Sequence, residues 1–400
     1  MYACVLRWKW ECSLKIQYRM DKMKKDYFAQ LQEIFGNAGR ESVIDHFGKG
    51  YFDGIKGWQF PIATIKKYNQ RGKLLTMDLD IPCPCKLNCN YCFAKESAYY
   101  RPQAGDRPLT MQKIKQSLLE AKAMGLKSAK IIGFGEPFEN SKIFDFIEFA
   151  SSYDIHLVIF TSAYTLGERT FGENKKKVID FLFDHKVSLM IKFHTLDQRK
   201  EVEIIGYEKY PAQRDEILRL FLEHGGFNNA SPTRLGLENV IATGNVDELA
   251  AIYEYFKIYR NVHIDIDPPI PVGRTTTKEE CQQIGLSEEK LLELYKRIYF
   301  INKKFNVPFL GISPFIGNPP CSQLPNGLYL TLSGKVMSCC GGNEQYGDIN
   351  NSETLSEIFL RNPYRLKTVN AYHNCPYRGK AGILSVDFIE KINQLIQQKT

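Results

Sequence analysis

The chain has 400 residues, 44% hydrophobic and 24% charged, with a formal net charge of +8. That composition excludes a disordered chain and supports two or three packed domains. No stretch approaches the roughly 18 uninterrupted apolar residues that cross a bilayer, so the chain reads as cytoplasmic with no membrane partner.

Residues 1–73 form a basic N-terminal extension with 14 Lys or Arg against 7 Asp or Glu, which supplies +7 of the net charge. A solvated basic face explains it, as does a surface for an acidic partner, while nucleic acid is not expected. From residue 74, short β-branched runs alternate with longer amphipathic ones. Strands are predicted over 74–81, 128–133, 156–160, 187–193, 234–241 and 262–267. The first intervening helix is predicted to open at Thr110 as N-cap and to stop at Gly125. Later helices are expected over 143–150, 177–184, 216–224, 246–259 and 288–305.

This alternation is that of an α/β protein. Six βα units fall short of the eight in a closed barrel, so residues 74–307 are expected to form a partial (β/α)6 TIM-like barrel with an open side. In such sheets the chemistry sits at the carboxyl ends of the strands. Beyond 308 the prolines and glycines Pro314, Gly317, Pro319, Pro320, Pro325 and Gly327 end the pattern. Residues 308–400 are therefore expected to be a small α+β domain, with a hairpin turned at Ser333-Gly334.

The eleven cysteines bunch, four within 83–92 and four within 321–375. Bunching of this kind points to metal or cluster ligation instead of a disulfide framework. Cys85, Cys89 and Cys92 have C-x3-C-x2-C spacing directly after the first predicted strand. Three thiolates can hold three irons of a cubane cluster and leave the fourth open to a small molecule. Zinc held by the same three with Cys83 is the competing structural reading.

The run Cys85-x3-Cys89-x-Tyr91-Cys92 resembles the signature loop of the radical S-adenosylmethionine (SAM) superfamily. That resemblance implies a 4Fe-4S cluster on the three cysteines, with SAM chelated at the open iron and cleaved to a 5′-deoxyadenosyl radical. Gly135-Glu136-Pro137 after the second strand resembles the family's Gly-Gly-Glu-Pro motif, with Phe134 in place of the first glycine. There glycine permits close backbone approach and Glu136 can accept a hydrogen bond from an amino group. Tyr91, Gly135, Glu136, Pro137, Thr161 and His194 are accordingly carried over as cofactor-binding residues. Thr161-Ser162-Ala163 falls where relatives often have Thr-Asn-Gly. A histidine such as His194 near a strand end is also often structural. Arg274, after the sixth strand, has both a surface reading and an active-site reading.

In the last segment, Cys321, twelve residues, Gly334, four residues and Cys339 resemble the SPASM or shortened Twitch extension of radical enzymes. The resemblance implies one auxiliary 4Fe-4S cluster on Cys321, Cys339 and Cys375, with Cys340 the thiolate available as a fourth ligand and zinc again the alternative. An oxidoreductase or peptide maturase follows as the expected activity: hydrogen abstraction leading to dehydrogenation or cross-linking of a peptide. Oxidation of a small molecule such as a sugar or aminocyclitol is the second expectation, and a non-enzymatic iron-sulfur or zinc protein the third. A flavodoxin or ferredoxin is the expected electron donor.

Overall fold

The computed structural model describes residues 24–92, 94, 108–166, 174–241, 244–267, 273–275, 279, 287–308, 321–342, 344–369 and 386–397. Six parallel strands form its frame: β1 (Thr76–Leu79), β2 (Ser128–Ile131), β3 (His156–Thr161), β4 (Ser188–Lys192), β5 (Leu235–Val240) and β6 (His263–Asp267). Each pairs with the next in register, all six where the alternation predicts them. Strand β7 (Gly327–Leu330) then pairs parallel to β1, and β8 (Lys335–Met337) and β9 (Gln345–Asp348) follow antiparallel. The sheet order is β6-β5-β4-β3-β2-β1-β7-β8-β9, so the curved sheet does not close on itself.

The expected hairpin at Ser333-Gly334 is present as β7 and β8. What the sequence did not announce is its place: β7 extends the barrel sheet directly from β1. The carboxyl-terminal cysteines thereby become neighbours of the first strand.

Helices α1 (24–35), α2 (Val43–Phe47) and α3 (Ile62–Gln70) precede the barrel. Helix α4 (Met111–Ala123) opens on Thr110, whose side chain accepts from the Lys113 amide at 3.2 Å, and ends before Gly125 at φ +115°. Helices α5 (Ile143–Ser152) and α6 (Lys175–Asp184) follow β2 and β3. After β4 come two helices instead of one, α7 (Gln198–Ile205) and α8 (Tyr210–His224). The unpredicted α7 is short, capped by Asp197 and stopped by Gly206 in the left-handed region. Helix α9 (Val246–Tyr253) passes into a π turn over Glu254–Ile258, and α10 (Glu288–Lys304) closes the barrel layer. Helices α11 (Gln323–Asn326), α12 (Leu355–Leu360) and α13 (Val386–Gln397) belong to the last segment.

The strands alternate in a way that sets the chemistry. Met77, Leu79, Ile131, Leu157, Ile159, Leu189, Ile191, Leu237 and Ile264 point outward into one continuous core with the helices. The alternate residues face the barrel interior, as period two requires, and many are polar: Thr76, Asp78, Asp80, Ser128, Lys130, Ser188 and Glu238. The lower interior is filled by the segment 53–59, where Ile55 packs with Val158 and Met190. Ser128 and Ser188 donate to the carbonyls of Gly57 and Lys56 at 2.5 and 2.8 Å. Asp53 is held by Lys257 at 2.6 Å to both oxygens. Part of the basic extension is thus a plug for the barrel. Among the described residues, no helix is long and apolar enough to cross a membrane.

Candidate active site

The loop carrying Cys85, Cys89 and Cys92 leaves the carboxyl end of β1 and is fastened from three sides. Its amides Asn88 N and Asn90 N donate to the carbonyls of Ile205 and Ile204 at the end of α7, at 2.9 and 3.0 Å. Gly206 must be glycine here, because a Cβ would lie 2.8 Å from Asn88 Cβ. Arg274 grips the other side: its guanidinium donates to Cys89 O at 2.9 Å and Asn88 O at 3.3 Å, and its amide to Cys92 O at 3.2 Å. Of the two readings open for Arg274, the structure places it on the cysteine loop.

From the third side comes the turn after β2. The Glu136 amide donates to Pro84 O at 3.0 Å, and Gly135 sits at φ +88° so close to the loop that a Cβ would fall 2.1 Å from Cys83 O. Glycine is therefore required both by conformation and by space. Pro137 opens a short 3-10 turn behind it. The buried Glu136 carboxylate accepts from the hydroxyls of Thr161 and Ser162 and from the Ser162 amide at 2.8 Å. Burial raises its pKa while these donors pull it back. Ala163 stands at φ +59°, a left-handed position that explains why glycine suits the third place of this turn.

Asp80, shortly before the cysteines, was not singled out from sequence. It is fully buried and accepts from Phe134 N (3.0 Å), Tyr329 OH (2.8 Å) and Leu332 N (3.1 Å). It joins the glycine turn to the β7–β8 hairpin. Gly133 gives it room, since a Cβ there would lie 1.4 Å from Asp80 Oδ1. Burial raises its pKa to about 6. The visible signal was the alternation Thr76, Asp78, Asp80, which puts charge where an outward-facing strand would put Leu.

Cys83 is not directed at a shared site: its thiol donates to Phe134 O at 2.8 Å and Ile81 O at 3.3 Å. Cys85, Cys89 and Cys92 are free thiols. Burial raises the pKa of the Cys89 thiol above its ordinary value. Uncompensated thiolates are thus disfavoured, and a cationic centre is what would ionise them. Lys192, inward on β4, lies among these cysteines and Glu238. Burial opposes its charge, but Glu238 and the cysteines hold its pKa above the ordinary lysine range. Among the described residues no three Cys, His, Asp or Glu side chains converge as a single-ion site. The fit to a cluster rests on the three thiols of one loop, on Lys192 beside them and on the Gly135 cradle.

Tyr91 is buried, with its ring 5.0 Å from His194 and the Lys192 ammonium 5.2 Å from its centroid. His194 is wholly buried and its Nδ1 lies 3.0 Å from Glu201, which also accepts from Thr195 N at 2.9 Å and pairs with Arg214 at 3.1 Å. His194 therefore belongs to a network under Tyr91. Of the second cysteine group, the Cys321 amide donates to Val369 O at 2.7 Å, and Cys339 and Cys340 follow β8. Cys92 and Cys340 pack against the same small cluster of Ala94, Tyr329 and Met337, which brings the two cysteine groups to one end of the sheet. Cys375 and the scattered Cys4, Cys12 and Cys281 lie outside the described residues.

Residues 83–257 match the family model of the radical SAM superfamily. That match covers less than half of the chain. The match spans the cysteine loop, the Gly135 turn and β2 through β5. The likeness implies a 4Fe-4S cluster and SAM, for which Cys85, Cys89 and Cys92 would be the cluster ligands. Solved structures share the fold. SuiB of Streptococcus suis bound to precursor peptide SuiA superposes with a TM-score of 0.53 at 16% identity, covering 75% of this chain and 68% of that one. SuiB bound to SAM gives 0.54 at 17% identity, over 75% and 69%. Histidine-tagged anSMEcpe with bound AdoMet gives 0.53 at 14% identity, over 80% and 92%. At such identities the likeness is one of fold. No curated protein matches the sequence significantly.

Proposed function

We propose that this chain is a radical SAM enzyme that oxidatively modifies a peptide, by dehydrogenation or cross-linking, and carries one auxiliary 4Fe-4S cluster. The observation that carries the radical chemistry is the Gly135-Glu136 turn docked on the cysteine loop at the carboxyl ends of β1 and β2. A 4Fe-4S cluster held by Cys85, Cys89 and Cys92 would supply the one-electron reducing power for reductive cleavage of SAM and so for hydrogen abstraction from the substrate.

The chain's own residues prepare the place. Cys85, Cys89 and Cys92 provide the thiolates; Arg274 and the carbonyls of α7 fix their loop. Lys192 offsets their negative charge, and Cys89 and Tyr91 are buried beside it. Glu136, locked by Thr161 and Ser162, holds the turn that faces the loop. The auxiliary cluster would rest on Cys321, Cys339 and Cys375, with Cys340 beside them. Support for a peptide comes from the neighbour SuiB, whose structure holds its precursor peptide, and from the open side of the sheet.

Anaerobic reconstitution followed by SAM, a strong reductant and product analysis tests the reading. Wild type is expected to form 5′-deoxyadenosine and Cys89→Ala to form none. Equal yields from the two would end the proposal.

A further inference from the structure

Toward the carboxyl ends of β2 to β5 the inward faces change from filled to partly open. Val158, Met190, Ser188 and Ser128 are fully buried, because the segment 53–59 fills the space between them. Further toward the carboxyl ends, Ile132 and Phe160, and one pleat above them Lys192 and Glu238, are each only half-buried. Their outward neighbours Ile131, Ile159, Ile191 and Leu237 are sealed against the helices. Residues on central strands of one sheet can then be exposed only to the barrel interior, so an open chamber lies above the plug.

Its floor is apolar. Phe160 stands beside Ile132, as the register of β2 with β3 requires. The Trp58 ring, brought up by the plug, meets Phe160 edge-on at 5.0 Å. Its wall is polar: Lys192 and Glu238 are register partners on β4 and β5, and Asp265 on β6 is the next partner of Glu238. Phe160 pairs with Met190, one pleat below Lys192, so the floor lies about 7 Å beneath the level of the cysteine-facing ammonium.

We infer that this chamber is an apolar side-chain site, floored by Ile132, Phe160 and Trp58, that takes an aromatic or aliphatic side chain of the substrate and presents it below the cysteine loop. The inference rests on the peptide reading above and names the residue class that reading leaves open. A charged side chain would lose its hydration over the Trp58 and Phe160 rings, with no partner in the floor to restore it. Peptide amides would meet Lys192 and Glu238 higher up. The floor also gives the amino-terminal region a role in specificity, since Trp58 lies outside the radical SAM match at 83–257.

The test uses the full-length, anaerobically reconstituted chain with Trp8→Phe and Trp10→Phe, leaving Trp58 as the sole tryptophan. Its emission is titrated with N-acetyl-phenylalaninamide, N-acetyl-leucinamide and N-acetyl-lysinamide. The two apolar probes are expected to shift Trp58 emission saturably, with Kd at least about tenfold below that of the lysine probe. Phe160→Leu should weaken the phenylalanine probe more than the leucine probe, and Ile132→Asn should weaken both. If either variant fails to fold, the ranking on the parent protein decides alone. Unmoved Trp58 emission, or a lysine probe binding as tightly as the phenylalanine probe, overturns the inference. Formation of 5′-deoxyadenosine is measured on the same preparation. Its absence strikes the radical reading, whereas its presence with no probe preference strikes only the apolar floor.

Discussion

Arg274 and Asp80 show how single side chains organise this site. Arg274 bonds the cysteine loop at three carbonyls, two through its guanidinium and one through its amide. Replacing it with Gln removes about 1 kcal/mol of charge-assisted bonding, and the reconstituted cluster should lose iron to a chelator about fivefold faster, followed by absorbance. Asp80 has a pKa of about 6, above the ordinary 3.8, because burial penalises its charge. Its contribution to stability is therefore full below about pH 4 and is lost as the pH rises through 6. The ionised form is the one that most needs its three donors. Tyr329→Phe should cost about 1.5–3 kcal/mol above pH 6 and progressively less below it, read by urea unfolding across pH 5 to 8. Arg274 was visible in the sequence as a residue with two readings; only the loop bonds chose between them. Asp80 lies fifty-odd residues from Phe134 and about 250 from Tyr329, so nothing in its neighbourhood along the chain could reveal its partners.

At the scale of elements, the six strands were legible because alternation and β-branching are local properties, and Thr110 and Gly125 mark α4 by chemistry that acts within one turn. Helix α7 escaped because its eight residues hold too few apolar positions to make a periodic pattern, although it carries the carbonyls that anchor the cysteine loop. The plug escaped for a different reason: 53–59 forms neither helix nor strand and gains its order from the barrel around it. Asp53 is its clasp. Burial opposes ionisation there, yet Lys257 and His263 outweigh it and hold the carboxyl at about 2. That depression stabilises the fold above about pH 4 by about 2 kcal/mol and is lost as the pH falls through 2. Lys257→Met leaves the buried Asp53 without its cation and should cost about 3–5 kcal/mol at neutral pH, with the acid sensitivity removed, as followed by thermal unfolding.

For the whole molecule, the decisive fact is that β7 joins the barrel at β1. Asp78 pairs with Lys130 at 2.7 Å, Lys130 donates to Gln323 at 3.2 Å, and Gln323 donates to Leu328 O and Ser338 O. This buried line, with Asp80, ties the second cysteine group to the first. If that group holds a cubane cluster, replacing Cys321, Cys339 and Cys375 together with Ala should remove about half of the bound iron and leave the Cys85 site loaded; iron unchanged from wild type would leave the chain with one cluster. The sequence by itself determined the βα order, the cysteine loop after β1 and the Gly135-Glu136-Pro137 turn after β2, since each is written in a short stretch of neighbouring residues. Only the tertiary structure decided that Arg274 holds the loop, that Asp80 binds turn to hairpin, and that Trp58 floors the chamber. Those contacts join residues far apart in the chain, and their energies exist only once the sheet has brought their partners together.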